Sequence, residues 1–222
     1  MSDYFENKSD INTRDKDGET RLLRAVMNRD LAEVEQLLTQ KANPNIPDNN
    51  GMSPIMHAVK RDYSILEALL RAGALVDSTD KYCSETALHM ATACGNTEAV
   101  KLLLKHHADV NKQSNLGNTA LHKAIRSKNI EIAELLLKND ANVNIQNKLG
   151  QTAFHEAFIY NNILLINKII DSGADWYVED YEEYTPLDYA WKYGHYKLYF
   201  SNRWQSAKNY LGSYVPSYFY SK

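Results

Sequence analysis

The chain has 222 residues, 44% hydrophobic and 24% charged, with a formal net charge of -3. That length can bury a core without disulfides, its near-balanced charge offers no global attraction to nucleic acid, and no apolar run approaches the roughly 18 residues that span a bilayer. Cys83 and Cys94 have no CxxC or Cys/His zinc spacing, and MSDYFENKSDIN carries no basic-then-apolar leader, so free thiols, a soluble chain and a reducing, cytoplasmic compartment are expected.

From Gly18 the octapeptide GETRLLRA recurs as GMSPIMHA at 51, SETALHMA at 84, GNTALHKA at 117, GQTAFHEA at 150 and EYTPLDYA at 183, all in one 33-residue frame. A period of this length is the mark of stacked supersecondary units. In the first unit Thr20 is placed to cap a helix of about nine residues that turns Leu22 and Ala25 inward, and Val34, Leu37 and Leu38 mark a second helix. The second unit opens with Ser53 and Pro54, a hydroxyl cap followed by a residue whose missing N–H costs nothing there. Its interhelix turn is one residue shorter than in the other units, and the hairpin after Ala74 is one residue longer, so the length changes fall in loops.

The third, fourth and fifth units repeat the scheme with Thr86, Thr119 and Thr152 as caps and Leu88, Leu121 and Phe154 as core residues. Val100 with Leu102 to Leu104, and Ile132 with Leu135 to Leu137, are their outer counterparts, and KANPNI, GALVDS, HADVNK, NANVNI and GADWYV close successive units. The sixth begins at Thr185 and Pro186, but Ser201, Asn202 and Arg203 replace the leucine triplet. Tyr196, Phe200, Trp204, Ala207 and Leu211 make a different stripe, read as a capping helix ended by Gly212 and Pro216, because terminal units are atypical.

These units resemble the ankyrin repeat family, whose Gly-x-Thr-Pro-Leu-His-x-Ala and Gly-Ala-Asp-Val-Asn pattern is nearly complete in units three to five. The resemblance implies an all-α solenoid of helix-turn-helix units with connecting β-hairpin loops, plus a C-terminal capping helix. Residues 1–8 are then a tail, 9–200 the six-repeat domain, and 201–222 an aromatic, basic cap and tail.

His89, His122 and His155 stand one unit apart, roughly the 8 to 10 Å of neighbouring helices, too far to share a zinc with bonds near 2 Å. The resemblance implies that they hydrogen-bond backbone in the turns and knit the units together. Leu23, Met56 and Asp188 replace them elsewhere, so those turns are expected to be less tightly tied. His106 and His107 read as cations at a helix C-terminus. No Gly-rich phosphate loop, GxSxG or HExxH is present, so neither enzyme chemistry nor cofactor nor metal is expected.

The resemblance implies a concave face of hairpin tips and inner-helix surface on which a partner binds. Candidate contacts are Tyr82, Leu116, Arg126, Tyr160, Tyr181, Glu182, Tyr184, Lys192 and Tyr193, with Trp176 and Tyr177 at the edge. Eleven of the 15 tyrosines lie between Tyr177 and Tyr220, and residues 171–188 carry seven acidic side chains and no Lys or Arg. Such a surface suits a protein partner with basic character, bound by a monomer acting as adaptor, inhibitor or intracellular effector, with delivery into a host cell one such setting. The alternative is a targeting or regulatory subunit of an enzyme or ubiquitin-ligase complex working through the C-terminal tail.

Overall fold

The computed structural model describes residues 10–60 and 62–194. The 1–8 tail, the expected capping helix and the 201–222 tail lie outside them. Among the described residues are eleven helices and no strand, the isolated bridge Arg14 to Thr20 apart.

The helices run in pairs: α1 (Arg21–Asn28) and α2 (Leu31–Thr39), α3 (Pro54–Ala58) and α4 (Tyr63–Arg71), α5 (Ala87–Ala93) and α6 (Thr97–Lys105). Next come α7 (Ala120–Arg126) and α8 (Ile130–Leu137), α9 (Ala153–Ile159) and α10 (Ile163–Asp171), then α11 (Pro186–Lys192), the inner helix of the sixth unit. Inner helices are five to eight residues long, shorter than the nine expected, because a left-handed residue follows: Arg29, Gly95, Lys128, Asn161 and Gly194 all have φ between 53° and 76°. Outer helices start on Asp30, Asp62, Asn96 and Asn129, whose side chains accept from first-turn N–H groups. They end at Lys41, Gly73, His107, Asp140 and Gly173, again left-handed, so His107 fills a position where two other units have glycine.

Two residue columns from the inner helices form the centre of the stack. Leu22, Ile55, Leu88, Leu121, Phe154 and Leu187, with Ala25, Ala58, Ala91, Ala124, Ala157 and Ala190, are all at most 3% exposed. Small alanines let successive inner helices approach, and the outer helices close over them with Val34 and Leu37, Ile65 and Leu69, Val100 and Leu103, Ile132 and Leu136, Leu165 and Ile169. Leu38, Leu104, Leu135 and Leu137 are half-buried.

Neighbouring units are stitched at two further levels. At the hairpin tips, Asn49, Lys81, Asn115, Lys148 and Tyr181 donate backbone N–H groups to the carbonyls of Asp17, Asn50, Cys83, Leu116 and Leu149. Below them, Asn12, Asn45, Asp77, Asn111 and Asn144 accept, through Oδ1, the N–H of Asn43, Leu75, Asp109, Asn142 and Asp175 at 2.7–3.0 Å. A Cβ on Gly150, at φ +77°, would stand 2.6 Å from the amide nitrogen of Tyr181, so glycine there serves both the turn and the close approach.

The extra residue of the third unit sits at its hairpin tip, where Asp80 and Ser84 enclose three residues while Asn147 and Gly150 enclose two. Asp80 holds the enlarged loop by accepting the N–H groups of Tyr82, Cys83 and Glu85. Burial pushes its carboxyl upward, but those donors outweigh burial and leave it below the usual carboxylate range.

Candidate functional site

The histidine column has one geometry three times over. Nδ1 of His89, His122 and His155 lies 3.0–3.2 Å from the backbone nitrogen and 2.9 Å from the hydroxyl of Thr86, Thr119 and Thr152. A backbone N–H can only donate, so Nδ1 is unprotonated and Nε2 carries the hydrogen. Nε2 then donates to the carbonyl of the next unit's hairpin: Asn118 at 3.0 Å, Gln151 at 3.2 Å and Tyr184 at 3.1 Å. Burial depresses all three imidazoles, His122 to about 4, and a proton on Nδ1 would also oppose the threonine N–H. A neutral, fully bonded imidazole has no free atom for catalysis.

Asp188 departs from expectation. Its Oδ2 accepts from the N–H of Thr185 at 2.9 Å and from its hydroxyl at 2.6 Å, so this turn is bonded as fully as those with histidine. The carboxylate does locally what Nδ1 does. In the second unit the sulfur of Met56 takes that place, 3.4 Å from the N–H of Ser53, a weaker acceptor.

The apolar surface lies at the tips. Tyr82, Leu116, Leu149 and Tyr181, on four successive hairpins, are 63%, 66%, 61% and 75% exposed. The tip-to-tip backbone bonds fix the spacing of these units, so the four side chains stand on adjacent tips, Leu116 and Leu149 in the column of Cys83 and Tyr181 in the neighbouring column of Lys148. Tyr160 and Tyr193 cap the C-termini of α9 and α11 and are also exposed, as are Tyr177 and Glu182. Leu149 was readable as the residue one unit after Leu116.

Other candidates are engaged inside the fold. Arg126 forks onto the fully buried Glu156 of the next unit, with Nε at 3.0 Å from Oε2, Nη2 on Oε1, and Nη2 also 3.0 Å from Asn118. Asn147 completes the network, its Nδ2 donating to Glu156 and Asn118. Burial raises the Glu156 carboxyl against the pull of Arg126 and Asn147. Tyr184 is half-buried, edge-on to Tyr189 at 5.9 Å, with the Lys192 ammonium 5.0 Å above its ring, and Trp176 meets Phe154 edge-on at 4.5 Å. Trp176 takes the place that Val110 and Val143 hold in earlier units, while Tyr184 stands where Asn118 and Gln151 stand and is drawn inward by Tyr189 and Lys192. Tyr189 donates its hydroxyl to Asp180 at 2.7 Å, and burial together with that bond pushes its own ionisation upward.

Among the described residues no group of three or more His, Cys, Asp or Glu is arranged to hold a metal ion, and no helix is long and apolar enough to cross a membrane. Cys83 and Cys94 are free and exposed.

The family pattern described as "Ankyrin repeats (3 copies)" matches residues 3–80 and 60–147. Inversin of Danio rerio is 40% identical over 86 residues, covering 38% of this chain and 8% of that protein. The RelA-associated inhibitor of Mus musculus is 31% identical over 90 residues, covering 40% of this chain and 11% of that protein. The chain thus spans about a tenth of the length of either relative. Among solved structures, the ankyrin repeat domain of Bcl-3, described as a unique member of the IkappaB protein family, superposes with a TM-score of 0.76 at 29% identity, covering 81% of each chain.

Proposed function

The chain belongs to the ankyrin repeat family, and from that premise we propose that it is a noncatalytic module that binds a partner protein along the hairpin tips of units three to six. One observation carries the reading: Tyr82, Leu116, Leu149 and Tyr181 expose large apolar or aromatic side chains on four consecutive tips. Large apolar side chains exposed on adjacent tips mark interaction surfaces, and tyrosines bury much area at small entropic loss. Tyr160 and Tyr193 widen the surface toward the inner helices. Around Tyr181 stand the exposed carboxylates of Glu179, Glu182 and Glu183, which suit a partner with basic groups. The module acts as a monomer in the cytoplasm, as an adaptor, inhibitor or intracellular effector. The RelA-associated inhibitor, by its name, associates with another protein, which fits this reading.

The test is affinity capture from cytosolic extract with the intact chain and with a variant carrying alanine at Tyr82, Leu116, Leu149 and Tyr181. All four side chains are exposed, so the variant keeps its helical content, checked by circular dichroism. A protein retained by the native chain and lost from the variant supports the reading. Equal retention by both removes the tip row from the binding surface.

A further inference from the structure

The boundary between units two and three lacks bonds that later boundaries carry. His89, His122 and His155 each donate an Nε2 hydrogen to the following unit, but the second unit has Met56 in that column, and a thioether has no hydrogen to donate. Pro47 stands where Gln113 and Gln146 send side-chain amides onward at 3.0 and 2.9 Å. Lys123 pairs with Glu85 between units three and four, and Arg126 with Glu156 between four and five; among the described residues no ion pair joins units two and three. The ties that do cross include Asn96 Nδ2 on the Val59 carbonyl at 2.8 Å, the hydroxyls of Ser53 and Ser78 at 3.1 Å, and the tip rung from the Lys81 N–H to the Asn50 carbonyl at 3.1 Å.

That rung falls on the only Asn-Gly step in the sequence. Asn50 is exposed, and Gly51 has no side chain to hinder its own nitrogen from closing a ring onto the Asn50 amide carbon. In the closed tip this nitrogen is occupied. Its N–H donates to the Asp48 carbonyl at 3.0 Å, the Asn50 N–H donates to Asp48 Oδ1 at 2.8 Å, and Lys81 holds the carbonyl between them. Ring closure needs these bonds to give way, so its rate follows how often units two and three part.

We propose that Asn50–Gly51 is a self-modification site gated by the opening of this boundary. The Gly51 nitrogen bonds to Asn50 Cγ, the Cγ–nitrogen bond of the amide breaks, and ammonia leaves with the proton that Gly51 gives up. Water then opens the cyclic imide. Cleavage at the Cγ carbonyl gives aspartate; cleavage at the main-chain carbonyl gives isoaspartate, in which the backbone runs through Cβ and Cγ. The carbonyl that Lys81 bonded is then a free carboxylate outside the main chain, beside Asp48, and the rung cannot re-form in its old register. Opening admits the reaction and the product keeps the boundary open. This site is separate from the contacts assigned to units three to six.

The experiment incubates the full chain in mildly alkaline buffer and follows conversion at Asn50 by mass spectrometry of tryptic peptides, with a peptide of residues 46–55 as the unstructured reference. The native chain is expected to form isoaspartate at Asn50 at least about tenfold more slowly than the peptide. Asn96→Asp keeps the acceptor for the Ala99 N–H but loses the donor to Val59, at a distance from the tip, and is expected to speed conversion about tenfold. Met56→His restores the residue that units three to five carry and is expected to slow it about tenfold. In the converted chain, amide-exchange protection of α3 is expected to fall about tenfold while that of α9 holds. Conversion of the native chain at the peptide's rate would overturn the proposal, as would no isoaspartate in the native chain or Asn96→Asp after many lifetimes of the peptide. A rate unmoved by either variant would also overturn it, placing the gate in the tip alone; if Met56→His does not fold, the Asn96→Asp arm decides.

Discussion

Arg126 on α7 and Glu156 on α9 form a bidentate ion pair in which the carboxylate is wholly buried and the guanidinium half-covered. The pair crosses the boundary between the fourth and fifth units, where Nη2 of Arg126 also donates to Asn118 and Oε1 of Glu156 also accepts from Asn147. Removing one member strands the other, so Arg126→Ala is expected to lower stability by about 3 kcal/mol. Glu156→Gln, which keeps shape and hydrogen-bonding capacity, is expected to cost less. Urea midpoints for the two variants check this; equal and negligible shifts would mean that the network is not holding the units.

The histidine column makes a prediction about pH. Burial depresses His122 from 6.5 to about 4, and His89 and His155 move in the same direction. Between those values the unfolded chain binds protons that the folded chain refuses. Stability is therefore complete above about pH 6.5 and declines as the pH falls toward 4, by about 3 kcal/mol for His122. His122→Ala is expected to cost about 1–3 kcal/mol at pH 7 by unpairing the carbonyl of Gln151, and to flatten the decline. Thermal melts across this range read both effects, and a native chain equally stable at pH 7 and 5 would contradict them.

Two glycines with similar φ separate conformational cost from steric cost. Gly173, at φ +84°, has nothing within 4 Å of where a Cβ would stand, so Gly173→Ala is expected to cost about 1 kcal/mol. Gly150, at φ +77°, faces backbone atoms of Tyr181 and Asp180 within 2.8 Å, and Gly150→Ala is expected to cost at least about twice as much. Denaturant midpoints of the two variants compare these costs; equal shifts would mean that the hairpin ladder is looser than those distances imply.

Tyrosines of the last two units are expected to divide by burial. Tyr181→Ala, at an exposed tip, should leave stability within about 0.5 kcal/mol and weaken partner binding by about 2 kcal/mol. Tyr184→Ala loses its contact with Tyr189 and the cover of Lys192, and is expected to cost about 1–2 kcal/mol of stability. Calorimetry on each variant, with a partner titration, separates the two; a stability loss at Tyr181 would move it from the binding surface to the fold.

The inner-helix core was legible because one column of Leu, Ile or Phe and another of Ala recur every 33 residues, and a residue in such a column has the same surroundings each time. The loop placement of the extra residue near Tyr82 was legible for the same reason. The engagement of Arg126 was not. Its column holds no regular ion pair, and the partner, Glu156, becomes visible only when the register of one inner helix against the next is known. Tyr184 escaped likewise, since its burial is set by Lys192 and by Tyr189, in a column where no other unit has a Phe, Tyr or Trp. Repetition reveals what all units share and conceals what a single boundary adds.

The five-residue α3 bears on how the array comes apart. Each unit touches only its neighbours, so cooperativity passes from one end to the other through every joint in turn, and the weakest joint limits how far it travels. α3 is the shortest inner helix, and it supplies the second unit's inner-helix surface facing α5. Under denaturant the molecule is therefore expected to behave as two linked melting blocks divided after the second unit, the smaller one reporting on the N-terminal repeats and the larger one on the remainder.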